Sequence, residues 1–290
     1  MDDNETNYDL VEELSDKSEL KRHYEIAFGL QKVDNLTPSN YMMDLANENI
    51  NGKKTYNEVE NELKKYYNKV TNINRDEQEA DKVSLHIVKL LNDKSFTFSV
   101  ITLKEYHRIL FEGVDLGISG KYYGEFRDVN ITKQEPVLNG DSVIYSDYTA
   151  IYETLKYDFE EERNQNYLKM SEQQMIKRLA TFTSRIWQVH PFREGNTRTT
   201  AVFIQKYLNS KGFNVNNDLF KENSLYFRNA LVRNNCANYQ KKIDDNNSYL
   251  IAFFENLLLG KNNILNNKDL YITERKQQLD NDFYDEYDGK

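Results

Sequence analysis

The sequence contains few of the residues that cross-link, kink or anchor a chain. It has one cysteine, Cys236, which excludes an internal disulfide framework and a cysteine-based metal cluster. Three prolines and 11 glycines leave few sharp turns and favour long helices. No apolar run reaches the roughly 18–20 residues that span a bilayer. The acidic N-terminus does not resemble a secretory signal, so we expect a cytoplasmic protein without a membrane partner.

The charge balance is acidic, with a formal net charge of -9. Proteins that bind the nucleic-acid backbone usually present a basic face, so no nucleic-acid partner is expected. The hydrophobic fraction of 39% is sufficient for a sizeable core.

Apolar residues recur at helical spacing along most of the chain and predict a mainly α fold. We expect an N-terminal helical module over 1–69 and a polar linker over 70–84. A larger domain over 85–261 follows, and a polar, acidic C-terminal tail occupies 262–290.

Residues 125–148 have a different pattern, in which apolar and polar residues alternate on both sides of Asn139-Gly140. This is a strong hairpin signal, so we expect one β-hairpin in an otherwise helical protein. The apolar positions of this predicted hairpin include Val137, Leu138, Val143 and Ile144.

Reactive side chains concentrate between two predicted helices, in the segment His190-Pro191-Phe192-Arg193-Glu194-Gly195-Asn196-Thr197-Arg198. His190 is suited to proton transfer near neutral pH. Phe192 is expected to turn inward and anchor the loop. Glu194 is a carboxylate that, together with phosphate oxygens, could hold Mg²⁺. Alone, His190 is more simply a helix C-terminal residue and Glu194 a solvated acid, but the ordered set favours a site.

The end of the same segment has the features of an anion site. Gly195 lets the backbone approach a ligand closely. Asn196 precedes a helix whose first free N–H groups can bind an anion. Arg198 lies in the first turn, where a cation opposes the helix dipole unless an anion offsets it.

The ordered segment resembles the signature of the Fic domain family, His-Pro-Phe-x-(Asp/Glu)-Gly-Asn-Gly-Arg, usually followed by x-x-Arg. The stretch 122–127 and the predicted hairpin resemble the family's substrate-binding flap. This resemblance implies that an extended segment of a target protein docks beside the hairpin through backbone hydrogen bonds, at the positions Val137, Leu138, Val143 and Ile144. Residues 225–231 resemble a helix beside the nucleotide. The resemblance extends over about residues 85–260 and implies a Fic-type helical core, so that the domain over 85–261 would be the catalytic domain.

The resemblance implies transfer of AMP from ATP to a hydroxyl of a target protein, with Mg²⁺ as cofactor. It also implies roles for the loop: His190 is the general base, Phe192 the anchor and Glu194 the metal ligand, while Gly195, Asn196, Thr197 and Arg198 bind the phosphates.

Two positions depart from the family pattern. Thr197 replaces the second glycine; if this residue is already helical, threonine is tolerated and its hydroxyl could cap the helix. Ala201 replaces the second arginine, which in the family typically contacts the γ-phosphate and pairs with a glutamate of an inhibitory helix.

The N-terminal module resembles the antitoxin-like domain that carries this inhibitory helix, with the motif (Ser/Thr)-x-x-x-Glu-(Gly/Asn). The counterpart here is 30–35, in which Asp34 replaces the glutamate and is followed by Asn35. Without an arginine at position 201, the family's inhibitory glutamate–arginine pair is either absent or replaced by a pair of other residues. Asp34 is therefore either an inhibitory residue, together with Asn35, or an ordinary turn residue.

Three functional hypotheses follow from the sequence. The first is AMP transfer to a target protein, including the protein itself. The second is nucleotidyl or phosphoryl transfer from another donor, and the third is a weakened nucleotide-binding protein with a regulatory or toxin–antitoxin role. An intact base and carboxylate favour an enzyme. The target remains unidentified, and a homodimer is one alternative for the oligomeric state.

Overall fold

The computed structural model describes residues 17–70, 72–215, 219–237 and 245–272. Within these ranges the prediction of a mainly helical fold is confirmed. The α-helices found there are α1 Lys17–Gln31, α2 Asn40–Ile50, α3 Tyr56–Lys69, α4 Arg75–Asn92, α5 Val100–Phe111, α6 Ile151–Arg163, α7 Glu172–Val189, α8 Asn196–Ser210, α9 Leu219–Asn234 and α10 Ser248–Leu259. None of the helices in the described part of the chain is both long and apolar enough to cross a bilayer.

Several helices begin where a short polar side chain can accept a hydrogen bond from a free backbone N–H. Ser39 caps α2 and Asn74 caps α4 in this way. Thr55 and Ser171 form reciprocal capping boxes at the starts of α3 and α7. These caps fix the helix boundaries locally, before tertiary packing is considered.

Helix α8 forms the centre of the core. Every residue from 196 to 208 is buried, and α4, α5 and α7 all pack against this helix. Its large side chains, including Phe203 and Tyr207, pack in an aromatic cluster with Phe98 and Phe182. The loop that precedes α8 is therefore attached to one of the most constrained elements of the fold.

The N-terminal helix α1 packs on α4 and α9 rather than standing apart from the rest of the chain. Its Gly29 faces the backbone of Lys221, and a Cβ atom added to this glycine would lie 2.4 Å from the Lys221 carbonyl oxygen. The Ser224 hydroxyl donates a hydrogen bond of 2.5 Å to the Gly29 carbonyl. A residue without a side chain is thus required where α1 meets α9.

The predicted domain limits are not tested by these contacts and remain predictions. Helix α4 begins at Arg75, so most of the predicted linker over 70–84 is helical. Leu270, in the predicted tail, is fully buried, and the Ile272 N–H donates to the Val137 carbonyl at 3.0 Å. The acidic run at 280–288 lies outside the described residues.

The predicted β-hairpin flap is wrong, because the structure has no strand over 125–148. The turn itself lies where expected, with Asn139 at φ 54 and Gly140 at φ 90. Two backbone hydrogen bonds close it, from the Glu135 N–H to the Asp141 carbonyl (2.9 Å) and from the Gly140 N–H to the Glu135 carbonyl (3.0 Å).

The reason that this pairing does not continue lies in the residues beside the turn. Pro136 has no N–H and begins a 3₁₀ turn that extends to Leu138. The Lys133 N–H bonds to the Ser142 hydroxyl instead of a backbone carbonyl. We refer to residues 125–148 below as the flap.

The close approach of α1 and α9 generates a stability prediction. Ala has a higher helix propensity than Gly by roughly 0.5–1 kcal/mol, so an unhindered Gly29→Ala substitution would stabilise α1. Here we expect a net destabilisation of about 2 kcal/mol, since the added methyl would force two backbones apart. Urea unfolding monitored by circular dichroism measures the change, and a stabilised variant would contradict the described contact.

Candidate functional site

The loop between α7 and α8 reverses direction through two left-handed residues. His190 has φ 48 and ends α7, and Gly195 has φ 74 and precedes α8. A Cβ at Gly195 would lie 2.2 Å from the ring of Phe111, so glycine is needed for conformation and for space. Phe192 is 1% exposed, which confirms that it turns inward.

The buried guanidinium of Arg127 joins this loop to the flap. Its Nε donates to the His190 carbonyl at 2.8 Å, and its terminal nitrogens donate to the carbonyls of Val129, at 2.6 Å, and Ser146. The Arg127 backbone N–H also donates to the Pro191 carbonyl at 2.8 Å. Arg127 therefore satisfies carbonyls that the end of α7 would otherwise leave unpaired.

Asn196 stabilises the loop through its side chain. The amide accepts from the Phe192 N–H at 2.9 Å and donates to the Phe192 carbonyl at 2.8 Å. Its side chain is thus occupied within the protein. If Asn196 contacts a phosphate, as predicted, its backbone N–H at the start of α8 is the group available.

His107 supports the loop from α5. Its Nδ1 accepts from the Gly124 N–H at 2.9 Å, so the proton lies on Nε2, which donates to the Glu194 carbonyl at 3.0 Å. The ring stacks on Phe192 with centroids 3.8 Å apart. Burial lowers the pKa of His107 to about 4. His107 is therefore a core histidine with both ring nitrogens satisfied.

His190 is buried but lines an open cavity. Its Nδ1 lies 3.3 Å from the Trp187 carbonyl, which can only accept, so Nδ1 carries the proton and Nε2 is the free acceptor. The ring stacks on Tyr145 at 4.1 Å. Burial, with a smaller contribution from Lys133, lowers the pKa of His190 to about 3. The imidazole is therefore neutral at physiological pH, which is the form that can accept a proton.

The cavity has a volume of about 230 Å³ and brings together residues that the sequence places far apart. It is lined by six of the predicted site residues: Asp34, His190, Glu194, Gly195, Asn196 and Thr197. Phe192 lies behind them in the core. We refer to this space as the loop cavity.

Glu194 is exposed, and its carboxylate has no hydrogen bond or ion pair within the described residues. Desolvation raises its pKa, with Lys133 opposing this effect. No group of three or more potential metal-ligating residues is found in the described ranges. Mg²⁺ beside a nucleotide is usually held by one or two carboxylates, and phosphate oxygens and waters complete its coordination. The single carboxylate of Glu194 fits Mg²⁺ in this way.

Arg198 is predicted to bind a phosphate, and in the structure side chains of the protein contact its guanidinium. It is 2% exposed; its Nη2 donates to Glu79 at 2.6 Å and its Nη1 donates to Gln31 at 3.1 Å. Its Nε lies 3.0 Å from Asp34, a close ion pair without hydrogen-bond alignment. The carboxylates of Asp34 and Glu79 thus offset the positive charge of Arg198, which the positive end of the α8 dipole disfavours.

The structure shows the conformation and contacts of the two residues that depart from the family pattern, Thr197 and Ala201. Thr197 is helical, as expected, but its hydroxyl does not cap α8; it accepts from the Trp187 indole N–H at 3.0 Å. Ala201 is fully buried inside the core. Asn35 adopts a left-handed conformation at φ 58 and ends the 3₁₀ turn that carries Asp34.

The four flap positions predicted for docking do not share one environment. Val137, Leu138 and Val143 are buried in the core, whereas Ile144 is 76% exposed. The Ile144 carbonyl accepts from the Gln188 amide at 2.9 Å. Docking of a target beside the flap remains a prediction, and any side-chain contribution from these four positions would come from Ile144.

Sequence reasoning missed the buried ion pair of Glu135 and Arg228, which also lines the loop cavity. Arg228 Nη2 donates to Glu135 Oε2 at 2.5 Å, while no hydrogen-bond partner is found for Glu135 Oε1 among the described residues. Arg228 lies within the segment that resembles a nucleotide-side helix, but no local pattern indicated Glu135. Their pairing across 93 positions is a tertiary property.

Residues 97–208 match the sequence model of the Fic/DOC family. Solved structures of Fic proteins are similar to this chain. The N-terminal Fic domain of a Bartonella effector protein from Bartonella sp. AR 15-3 has 19% identity and a TM-score of 0.48, and the match covers 69% of this chain and 86% of that one.

A Fic family protein from Desulfovibrio desulfuricans G20 has 12% identity and a TM-score of 0.53. That match covers 83% of this chain and 65% of the other, and at this identity it supports the fold alone. A search of curated proteins gives no match.

The burial of His190 generates a pH prediction. Because its pKa lies near 3 in the folded protein, its ring resonances should not titrate between pH 8 and pH 5. In the urea-unfolded chain the same ring should titrate near 6.5. NMR of histidine-labelled protein, assigned with His190→Gln, measures both values. A native midpoint between pH 6 and pH 7 would show that the ring is hydrated or charged.

Proposed function

We propose that this protein transfers AMP from ATP to a hydroxyl side chain of a target protein, including its own chain. The observation that carries the proposal is a neutral His190, whose Nε2 has no partner among the described residues, in one cavity with Glu194 and the start of α8. The Fic/DOC match independently favours nucleotidyl transfer.

In the proposed reaction, His190 Nε2 accepts the proton of the attacking Ser, Thr or Tyr hydroxyl. The hydroxyl oxygen forms a bond to the α-phosphorus, and the bond from that phosphorus to the bridging oxygen breaks. Pyrophosphate is the leaving group. Arg127 and Trp187 contribute by fixing the turn and the tautomer of the base.

The start of α8 is suited to bind the phosphates. The N–H groups of the first helical turn have no intrahelical partners, and the positive end of the helix dipole favours anions. Gly195 brings this backbone close to the cavity without a side chain in the way. When bound, Mg²⁺ would neutralise phosphate charge, and Glu194 is the residue that would hold it.

The contacts of Arg198 support autoinhibition, but through residues other than the family's usual glutamate–arginine pair. Asp34 and Gln31, from the N-terminal region, and Glu79, from α4, surround the guanidinium. A phosphate that contacts Arg198 must compete with these groups, and Asp34 would also repel it within the cavity. We infer that Asp34 pairs with the first motif arginine because Ala201 offers no second one.

The size of the loop cavity agrees with this inference. A volume of about 230 Å³ is below the roughly 300–1,000 Å³ of typical small-molecule sites. Asp34 is part of its wall. Displacement of Asp34 would therefore both enlarge the cavity and remove one of the partners of Arg198.

The transfer reaction is tested with radiolabelled ATP, GTP, UTP and CTP in the presence of Mg²⁺. We expect label from ATP on the wild-type chain and a loss of at least 100-fold in His190→Ala, since general bases typically contribute 10²–10⁴-fold. His86→Ala, which alters a histidine outside the loop cavity, is the matched control.

The other outcomes separate the remaining hypotheses. Label retained by His190→Ala would remove this residue as the base. Preferential label from GTP, UTP or CTP would favour another donor. No transfer by either wild type or Asp34→Ala, despite nucleotide binding and a supplied target protein, would favour a regulatory nucleotide-binding protein.

The inhibitory role of Asp34 predicts a gain of function. We expect Asp34→Ala to bind Mg-ATP about tenfold more tightly in calorimetry and to transfer AMP faster, a change of about 1.4 kcal/mol in coupling free energy. Asp44→Ala, on the exposed face of α2, is the matched control. Equal affinities in both variants would show that Asp34 is only a turn residue.

A further inference from the structure

A second cavity lies between α1 and α8, toward the C-terminal end of α8. Its volume is about 370 Å³, larger than the loop cavity. Side chains of α1, of the segment between α4 and α5, and of α8 line it, among them Arg22, His23, Asp93, Gln205 and Lys206. The proposed AMP transfer uses none of them.

Lys206 is the most informative residue in this α1–α8 cavity. It is only 4% exposed, and no hydrogen bond or ion pair to its ammonium group is found in the part of the chain that the structure describes. Burial lowers its pKa. A buried charge without a partner is unfavourable, so a ligand that supplies the opposite charge would be favoured here.

The acidic residues of the cavity do not neutralise Lys206. Asp93 raises the pKa of Lys206 electrostatically, yet no ion pair joins the two side chains. The Asp93 carboxylate instead accepts from the backbone and hydroxyl of Ser95, both at 2.8 Å. Glu19 lies 3.9 Å from Arg22 at the exposed edge.

Among the other cavity groups, Arg22 can add donors for an anion, whereas the ring N–H of His23 is already used. Arg22 contributes a second cation from α1, held only by its long contact to Glu19 among the described residues. His23 Nδ1 lies 2.6 Å from the Asn92 side-chain oxygen, so this ring nitrogen donates and is satisfied. Cations from two different helices therefore face one space.

We propose that the α1–α8 cavity is a binding site for a small phosphate-bearing anion, with Lys206 and Arg22 as its ligands. Such an anion would bridge α1 to α8 and hold the N-terminal helix against the Fic/DOC domain. Lys206 follows Arg198 by eight positions on α8, roughly 12 Å along the helix axis. The site is thus separate from the loop cavity and independent of the proposed transfer reaction.

Inorganic phosphate is the probe, added to the full chain at constant ionic strength. Calorimetry and thermal unfolding should give saturable binding and a rise in Tm for wild type. We expect Lys206→Met to bind phosphate at least tenfold more weakly and to lose the rise in Tm. Lys177→Met, an exposed lysine of α7, is the matched control and should behave as wild type.

The variants also control for folding and location. Without phosphate, Lys206→Met should be at least as stable as wild type, because methionine keeps much of the length of the side chain and removes an unpaired buried charge. Arg22→Gln, near the surface, should weaken binding several-fold as a second variant. Equal phosphate binding by wild type and Lys206→Met, or binding lost only in Lys133→Ala of the loop cavity, would overturn the proposal.

Discussion

The candidate site depends on the buried guanidinium of Arg127. It donates to the carbonyls at the end of α7 and to carbonyls on both arms of the flap. A helix that ends in the core leaves carbonyls that water cannot reach, so these bonds are structurally necessary. They also hold His190 in its left-handed conformation beside Tyr145. The same contacts that satisfy the backbone therefore orient the proposed base.

A second arginine links the site to the N-terminal helices. Arg198 is buried, and its partners come from α1, from the turn after α1 and from α4. The carboxylates of Asp34 and Glu79 together compensate the guanidinium in a place that water reaches poorly. Because Arg198 contacts both α1 and the proposed phosphate site, binding of a phosphate there is coupled to the packing of α1. The contact between Asp34 and Arg198 also explains how the chain can retain a carboxylate at position 34 although Ala201 replaces the usual arginine.

The extent to which the sequence predicts the structure differs between elements. The helical content and the inward turn of Phe192 follow from local pattern, because helix periodicity and residue type act over a few residues. Asn139-Gly140 predicts the turn of the flap correctly but not the strands on either side of it. Strand pairing also needs free backbone groups on both arms, and Pro136 with its 3₁₀ turn removes them.

The sequence by itself determined the reactive loop, its two flanking helices and the two departures from the family signature. These are properties of adjacent residues. Tertiary structure alone decided that Arg127 holds the loop, that Asp34 meets Arg198, and that Glu135 pairs with Arg228. It also left Lys206 buried in a cavity without a partner among the described residues. Such contacts join residues distant in sequence, and they arise only when packing removes charged groups from water and requires each to find an opposite charge.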